Sequence, residues 1–327
     1  MKQSTHIGIL GLGAYVPKRV LTNYDLEKMV ETSNEWIVTR TGIKERHLAA
    51  PEEASSDLGA IAAERALQDA GVLPEEIDAI ITATLSPDYL FPSTACLIQG
   101  KIGAKNAAAF DLGAGCSGFV YALTIANSLV ASGFKKVLVV GAETISRFVN
   151  WQDRSTCVLF GDAAGAAVVG NVETGGFLGW DLGADGQGHE ALKVPGGGSR
   201  EPLTATNLAS NKQFVAMNGP EVFRFAVRII PKTSKKALEM AGLGIEDIDW
   251  LLPHQANTRI IDAAVGSLNM DPQKVIVNLH KYGNTSAASI PLAWVEAREE
   301  GKIKRGDKLL LVGFGAGLTW GSLILQY

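Results

Sequence analysis

The sequence predicts an α/β fold built from two duplicated halves, and two repeated patterns support this prediction. The segment Ala66–Gly71 recurs with the same Ala-Leu opening and Ala-Gly ending at Ala237–Gly242. Further along, the apolar run Val137–Gly141 is matched by Leu309–Gly313 at nearly the same separation. Helix–glycine–strand patterns are common in α/β proteins, but two matches in the same order indicate two copies of one structural unit.

The boundary between the copies is predicted near Val172–Gly176, which divides the chain into residues 1–174 and 175–327. Each repeated segment is the end of an amphipathic helix, and a glycine stops that helix. An acidic turn and an apolar strand follow in both copies, over Ala79–Thr82 and Trp250–Leu252. On such a fold, strand ends from the two halves can converge on one central site, so we expect the second half to supply partners for residues of the first.

Composition restricts the classes of function. The chain is 46% apolar, and its net charge of −4 gives no general reason to bind nucleic acid. The first apolar run is interrupted by Gly8, Gly11 and Gly13, which predicts an opening strand and neither a signal peptide nor a membrane span. The three cysteines have no disulfide or metal-site spacing. We therefore expect a cytoplasmic protein that binds neither membrane nor metal.

Cys116 is the strongest candidate for a catalytic residue. It lies in the glycine-rich run Asp111–Phe119, between an apolar strand and an apolar helix. The N-terminus of a helix favours negative charge, so this position is expected to stabilise a thiolate, and the flanking glycines are expected to leave the sulfur accessible. A small buried cysteine is the ordinary alternative. The strand–turn–helix arrangement favours a nucleophile for acyl transfer.

The second half offers two polar partners for this cysteine. His254 follows the strand at Trp250–Leu252, where α/β sheets place their ligands. Asn284 follows a predicted strand at Val275–Leu279 and precedes a predicted helix at Ile290–Arg298. Considered alone, the histidine could equally be a satisfied buried side chain, and the asparagine is more typical of a helix cap. Both side chains can also donate a hydrogen bond to a developing oxyanion.

Two glycine-rich segments have different interpretations. The loop Gly313–Gly321 follows an apolar strand and can turn backbone N–H groups toward a ligand, although such loops are also ordinary tight turns. The pair Gly11 and Gly13 lacks the third glycine of a dinucleotide-binding loop, and Pro17 stands where its helix should run. Nicotinamide binding is therefore excluded.

Together these residues resemble the β-ketoacyl-acyl-carrier-protein synthase III family of the thiolase superfamily, from Gly8 to Trp320. The matching motifs are the Cys116 turn, His254–Asn257, Gly283–Ser286, Gly317–Gly321, Asn34–Gly42 and Phe160–Gly165. The Cys/His/Asn set differs from thiolases, which use a second cysteine, and from elongating synthases, which use two histidines. The resemblance implies a thiolase-like, five-layered αβαβα fold and a homodimer.

The resemblance also implies a mechanism. Cys116 would accept an acyl group from acyl-coenzyme A (acyl-CoA), with the N–H groups of Cys116 and Ala316 forming the oxyanion hole. His254 and Asn284 would hold the thioester oxygen of malonyl-acyl carrier protein during decarboxylation. Coenzyme A is a substrate here, and no cofactor is implied. Ala316 replaces the middle glycine of the family's usual loop, so it keeps this role only if its φ is negative.

Binding residues follow from the same resemblance. Phe91 and Phe160 would line the acyl pocket, with Phe91 at the dimer interface and reaching into the partner's pocket. The implied coenzyme A contacts are Thr32, Trp36, Arg40, Arg154, Gly219 and Asn257.

A basic stripe recurs at helical spacing within this acidic protein. It consists of Arg224, Arg228, Lys232, Lys235 and Lys236, with Pro231 as a possible kink. A solvated helix face is the usual explanation for such charges. Because acyl carrier proteins are strongly acidic, we expect a docking surface that also includes Arg259.

Three other functions are alternatives to this one. A related Cys/His/Asn synthase of secondary metabolism, such as one making a polyketide, quinolone or olefin precursor, would share the same motifs. A cysteine-dependent thioesterase would need a water-activating base, which the apolar surroundings of Cys116 do not supply. A scaffold would need none of the three polar residues. Acetyl and branched primers differ by a few methyl groups, worth only ~1–3 kcal/mol each, so both stay open.

Overall fold

The computed structural model describes residues 6–327. Its strands are β1 (His6–Tyr15), β2 (Arg19–Thr22), β3 (Glu45–Leu48), β4 (Ala79–Ala83), β5 (Ala108–Leu112), β6 (Lys136–Glu143), β7 (Ala163–Val172), β8 (Gly176–Ala184), β9 (Leu192–Lys193), β10 (Ala216–Met217), β11 (Trp250–Pro253), β12 (Lys308–Gly315) and β13 (Thr319–Gln326). Its α-helices are α1 (Asn23–Leu26), α2 (Asn34–Thr41), α3 (Ser55–Ala70), α4 (Thr94–Ile102), α5 (Gly118–Ala131), α6 (Arg154–Cys157), α7 (Ala205–Ala209), α8 (Gly219–Ala241), α9 (Thr258–Leu268), α10 (Leu279–Tyr282) and α11 (Ser289–Glu299).

Two β-sheets form the framework of the molecule. The first has the strand order β1-β7-β6-β4-β5, and the second has the order β8-β13-β12-β11. In the first, β4 is parallel to β5 and β6, whereas β7 is antiparallel to β6 and β1. In the second, β11 is parallel to β12, whereas β13 is antiparallel to β12 and β8. Four strands therefore have the same order and directions in both sheets, as the sequence repeat predicts.

Helices form three layers around these sheets. Helices α3 and α4 cover the outer face of the first sheet, and α8, with α9 beside it, covers the second. Helices α5 and α11 contact both sheets and fill the space between them. Helix α5 is apolar on nearly all sides, which is typical of a buried helix, and Phe119 and Trp294 in this central layer are fully buried. The predicted five-layered αβαβα fold is confirmed.

The repeated glycines end two equivalent helices. Gly71 follows α3 with φ +63°, and Gly242 follows α8 with φ +68°. This left-handed conformation favours glycine, which has no Cβ to clash with the preceding turn. The predicted glycine stops are therefore confirmed in both copies.

The predicted strand at Val275–Leu279 is wrong. Only its first residue pairs, in an isolated parallel bridge with Leu251 of β11. The side chain of Gln255 accepts hydrogen bonds from the backbone N–H groups of Asn278 and Leu279, at 3.1 and 3.3 Å, and these replace further strand pairing. The segment lies beside β11 in the second sheet, as β5 lies beside β4 in the first sheet. In place of a fifth strand, the second sheet therefore has a single bridge.

The remaining predicted elements near the site agree with the structure. The predicted helix at Ile290–Arg298 lies within α11. Strand β7 ends at Val172 and β8 begins at Gly176. No helix within residues 6–327 is both long enough and apolar enough to cross a membrane.

Candidate active site

Cys116 lies in a short 3₁₀ turn, Gly115–Ser117, between β5 and α5, as the sequence predicts. The residue is only 6% exposed, and it is accessible through the cavities that it lines and not at the outer surface. Gly115 has φ +57°, and a Cβ there would lie 2.8 Å from the nitrogen of Ala316. The turn is therefore pressed against the loop after β12, where only glycine fits.

Two cavities meet at Cys116. The first, of about 540 Å³, is also lined by His254 and Asn284. The second, of about 440 Å³, also has Cys116 in its wall. Its wall is mainly apolar and includes Leu85, Ile145, Phe148, Leu192 and Val215. Cys116 thus lines both a cavity with polar donors and a cavity suited to an apolar group.

His254 directly follows β11 and is 2% exposed. Its backbone N–H donates to the carbonyl of Val312 at 2.7 Å, and its ring packs edge-on against Phe314 at 5.3 Å between centroids. The ring Nδ1 lies 2.7 Å from the Oγ of Ser289. Burial lowers the pKa of His254 to about 3, so the imidazole is neutral at physiological pH. It is a potential hydrogen-bond donor and not a cation.

Asn284 is held in place by hydrogen bonds of its backbone and of its side-chain amide. Its N–H donates to the carbonyl of Leu159 at 2.8 Å, and its carbonyl accepts from Gly161 at 3.0 Å. The side-chain Oδ1 accepts from the N–H of Ser286 at 2.9 Å. The interpretation as a local cap is thus partly right, because this contact is an Asx turn. With Oδ1 engaged, the NH₂ group is the part of the amide left to meet a ligand.

The loop after β12 brings the backbone N–H of Ala316 close to the turn that carries Cys116. A Cβ at Gly315 would lie 2.4 Å from the nitrogen of Cys116, which shows how closely the two backbone segments approach. Ala316 has no positive φ; the non-glycine residues within 6–327 that do are Asn211, Asn269 and Ser286. Ala316 therefore meets the condition stated for an oxyanion-hole residue. Its N–H makes no hydrogen bond to the described part of the chain.

The ionisation of Cys116 differs from the expectation. Burial raises the pKa of its thiol to about 12, partly opposed by the Ser286 hydroxyl and reinforced by the negative charge of Glu143. Glu143 is itself fully buried, and burial raises the pKa of its carboxyl. Loss of hydration is the largest cause of this raised pKa, so the thiol form is favoured and the predicted thiolate is not.

Most residues expected to contact coenzyme A surround the first cavity. Its lining includes Trp36, Arg40, Gly219 and Asn257, whereas Thr32 and Arg154 lie outside it. The Arg154 guanidinium stacks on Trp36, 4.9 Å from the ring centroid. The Thr32 hydroxyl oxygen is buried and has no hydrogen-bond partner within residues 6–327.

Asn257 also has a structural task. Its Oδ1 caps α9 by accepting from the N–H of Arg259 at 2.9 Å, while its Nδ2 donates to the carbonyl of Arg40 at 3.0 Å. The side chain therefore ties α9 to the end of α2 at the mouth of the first cavity.

The two phenylalanines expected in the acyl pocket have different positions. Phe160 is 5% exposed and lines both cavities. Phe91 is 85% exposed and lines neither cavity of its own chain, so its expected place in the acyl pocket of a partner subunit stays a prediction. With Tyr89 and Leu90 it forms an exposed apolar loop, a feature typical of interaction surfaces.

The basic stripe lies on one exposed face of α8, which continues through Pro231. Arg224 also lines the first cavity, as does Arg259 of α9. Positive charge therefore extends from the cavity mouth along the outside of the second half. Only Lys236 of this stripe forms an ion pair within residues 6–327, with Asp181 at 3.2 Å.

Three buried residues near the site were missed in the sequence: Ser289, Ser286 and Glu143. Ser289 contacts His254, and Ser286 and Glu143 affect the ionisation of Cys116. Serine before a helix and glutamate at a strand end are too common to signal a site. Only the chain's folding brings them to the cysteine and histidine.

This fold, with a cysteine, a histidine and an asparagine facing one cavity, is that of the thiolase-like condensing enzymes. The family described as 3-oxoacyl-[acyl-carrier-protein] synthase III matches residues 110–186, and its C-terminal region matches residues 238–327. The β-ketoacyl-[acyl-carrier-protein] synthase III of Desulfitobacterium hafniense is 56% identical over 323 residues, covering 98% of each chain.

Solved structures of similar proteins have the same fold as this chain. The 3-oxoacyl-[acyl-carrier-protein] synthase III of Aquifex aeolicus has a TM-score of 0.91 and 50% identity, covering 99% of this chain and 100% of that one. A priming β-ketosynthase from the R1128 polyketide pathway has the same TM-score but 37% identity, covering 98% and 96%. The chain belongs to the 3-oxoacyl-[acyl-carrier-protein] synthase III family. It is an acyltransferase, the condensing enzyme that initiates fatty-acid synthesis.

Proposed function

We propose that Cys116 carries the acyl group between two half-reactions. In the first, its sulfur attacks the thioester carbonyl of acyl-CoA, and coenzyme A leaves as the thiol with the proton of Cys116. The N–H groups of Cys116 and Ala316 stabilise the tetrahedral oxyanion. The observation that carries this proposal is the position of Cys116 at the junction of two cavities, one of them lined by His254 and Asn284.

In the second half-reaction, malonyl-acyl carrier protein occupies the first cavity. His254 and Asn284 donate hydrogen bonds to its thioester oxygen, and loss of CO₂ leaves an enolate on that oxygen. The enolate carbon attacks the acyl group on Cys116, which releases a 3-oxoacyl chain on the carrier protein. Cys116 leaves as a thiolate and regains a proton. A neutral imidazole suits this role, because it can donate to the enolate oxygen without transferring a proton to it.

Binding of coenzyme A is assigned to the first cavity. Trp36 and Arg154 would stack on the two faces of the adenine, which requires the Arg154 side chain to move away from the indole. Thr32 and Arg40 would lie near the nucleotide phosphates, and Gly219 and Asn257 along the pantetheine arm. The second cavity would hold the acyl chain, with Phe160 on its wall.

Four further assignments are proposed. The exposed Phe91 would reach the acyl cavity of a partner subunit in a homodimer. The basic stripe on α8 would dock the carrier protein, with Arg224, Arg228 and Arg259 nearest the cavity. Residues 1–174 and 175–327 would be the two thiolase-like halves. The enzyme would act in the cytoplasm.

The experiment that tests the proposal is intact-mass measurement after incubation with acetyl-CoA or isobutyryl-CoA, followed by peptide mapping. One added acyl group on Cys116, absent from Cys116→Ala, is expected, and the ratio of the two adducts ranks the primers. Free coenzyme A without an adduct would indicate a thioesterase instead. Neither adduct nor turnover with either primer would overturn the assignment of Cys116 as acyl acceptor.

A further inference from the structure

Ser289 lies directly beside His254, although the two residues come from different elements. It is the first residue of α11 and is 1% exposed, while His254 follows β11. Its Oγ is 2.7 Å from the histidine Nδ1. No carboxylate contacts this imidazole within residues 6–327, so the serine is the polar side chain that orients the ring.

The hydrogen bonds around Ser289 decide which atom carries the proton. Its Oγ accepts, at 3.4 Å, from the backbone N–H of Gln255. Among the described residues, the hydroxyl has one acceptor within reach, the Nδ1 of His254. A buried hydroxyl without an acceptor is unfavourable, because it has lost its hydrogen bond to water, so the O–H donates to Nδ1. A neutral ring that accepts at Nδ1 carries its proton on Nε2.

We propose that Ser289 is a positioning residue that holds His254 as the Nε2–H tautomer, with this N–H directed at the thioester oxygen of the malonyl substrate. This inference rests on the proposed role of His254 in the condensation. The opposite tautomer would place the lone pair of Nε2 against the developing enolate oxygen, which repels it. Ser289 therefore decides whether the ring stabilises or opposes the charge that forms after CO₂ leaves.

Measuring acylation and condensation separately distinguishes this role of Ser289 from a merely structural one. Acylation of Cys116 uses backbone N–H groups and does not need the tautomer of His254. Ser289→Ala is therefore expected to form the acyl adduct at the wild-type rate, whereas kcat for condensation falls by about 10–100-fold, by analogy with the partners that orient metal-binding histidines. The KM for malonyl-acyl carrier protein should change less than twofold. Ser289→Thr, which keeps the hydroxyl, should restore most of the rate.

A spectroscopic measurement reports the tautomer itself. With ¹⁵N-labelled histidine, NMR of the wild-type protein should show His254 protonated on Nε2, and Ser289→Ala should show a mixture of tautomers. Ser322→Ala is a matched control, because Ser322 is fully buried and hydrogen-bonds Thr233 at 3.0 Å away from both cavities. It should change neither the NMR signal nor the condensation rate.

Two results would overturn the inference: a wild-type His254 protonated on Nδ1, or normal condensation by Ser289→Ala. His254→Ala distinguishes the inference from the function on which it rests. If His254→Ala is inactive in condensation and Ser289→Ala is normal, only the role of Ser289 fails. If both variants condense normally, the proposed role of His254 fails as well.

Discussion

Phe160 and Asn284 pair through their backbones in an isolated parallel bridge. The N–H of Asn284 donates to Leu159, and the N–H of Gly161 donates back to Asn284. The bridge joins the segment before β7 to the turn before α11, so it links the first half of the chain to the second. Because both residues line the first cavity, this link sets where the Asn284 amide stands relative to Cys116.

The bridge predicts that Gly161→Ala destabilises the protein. A Cβ at Gly161 would lie 2.3 Å from the carbonyl oxygen of Tyr282, so the backbone must shift. Overpacking of this kind costs about 1–3 kcal/mol, measurable by chemical denaturation, and condensation should weaken as Asn284 moves. Gly100→Ala is the control, because an added methyl there meets open space on α4. Equal stability of the two variants would contradict the prediction.

The buried thiol predicts an unusual pH dependence of alkylation. Because burial raises the pKa of Cys116 to about 12, the reaction of iodoacetamide with this residue should keep accelerating up to pH 10. Mass spectrometry of the Cys116 peptide follows this reaction separately from the other cysteines. A rate that levels off below pH 9 would mean that the N-terminus of α5 outweighs burial after all.

The neutral histidine predicts a loss of stability in acid. Burial lowers the pKa of His254 to about 3, whereas the unfolded side chain has the ordinary value of 6.5. Between these values the unfolded chain binds a proton that the folded chain does not. The resulting loss of folding stability is absent above pH 6.5 and grows as the pH falls. It amounts to about 1.4 kcal/mol per pH unit at most.

Denaturation of the wild type and His254→Gln at pH 7 and pH 5 measures this effect. Glutamine cannot titrate, so the wild type should lose more of its free energy of unfolding between the two pH values. Identical losses would show that His254 is not held neutral by the fold.

Charge reversal tests the proposed docking surface for the carrier protein. Arg224→Glu and Arg259→Glu should slow the carrier-protein step, but both residues also line the first cavity. Arg228→Glu is the sharper variant, because Arg228 is exposed on α8 outside that lining. We expect a two- to fivefold higher KM for malonyl-acyl carrier protein, falling with added salt, and unchanged acylation by acyl-CoA.

Lys105→Glu is the matched control for this experiment. Lys105 is exposed just beyond α4, which covers the first sheet, whereas α8 covers the second. An equal effect of Lys105→Glu and Arg228→Glu on KM would argue for a general effect of net charge and against docking on α8.

Local patterns in the chain predicted most of the architecture. The recurrence of Ala66–Gly71 at Ala237–Gly242 predicted the duplication, because a helix end with its glycine stop depends on neighbouring residues only. Apolar runs predicted strands β4, β6, β11 and β12 for the same reason. The strand at Val275–Leu279 failed because a distant side chain, that of Gln255, takes the N–H groups that a sheet neighbour would have used.

For this protein, the sequence by itself determined the duplicated α/β fold, the turn that carries Cys116, and the strand end at which His254 stands. Only the tertiary structure decided the burial that raises the pKa of Cys116 and keeps His254 neutral. It also decided the contact between His254 and Ser289, and the absence of Phe91 from the cavities of its own chain. Burial and such contacts depend on residues far apart in the chain, and no local pattern encodes which of them meet.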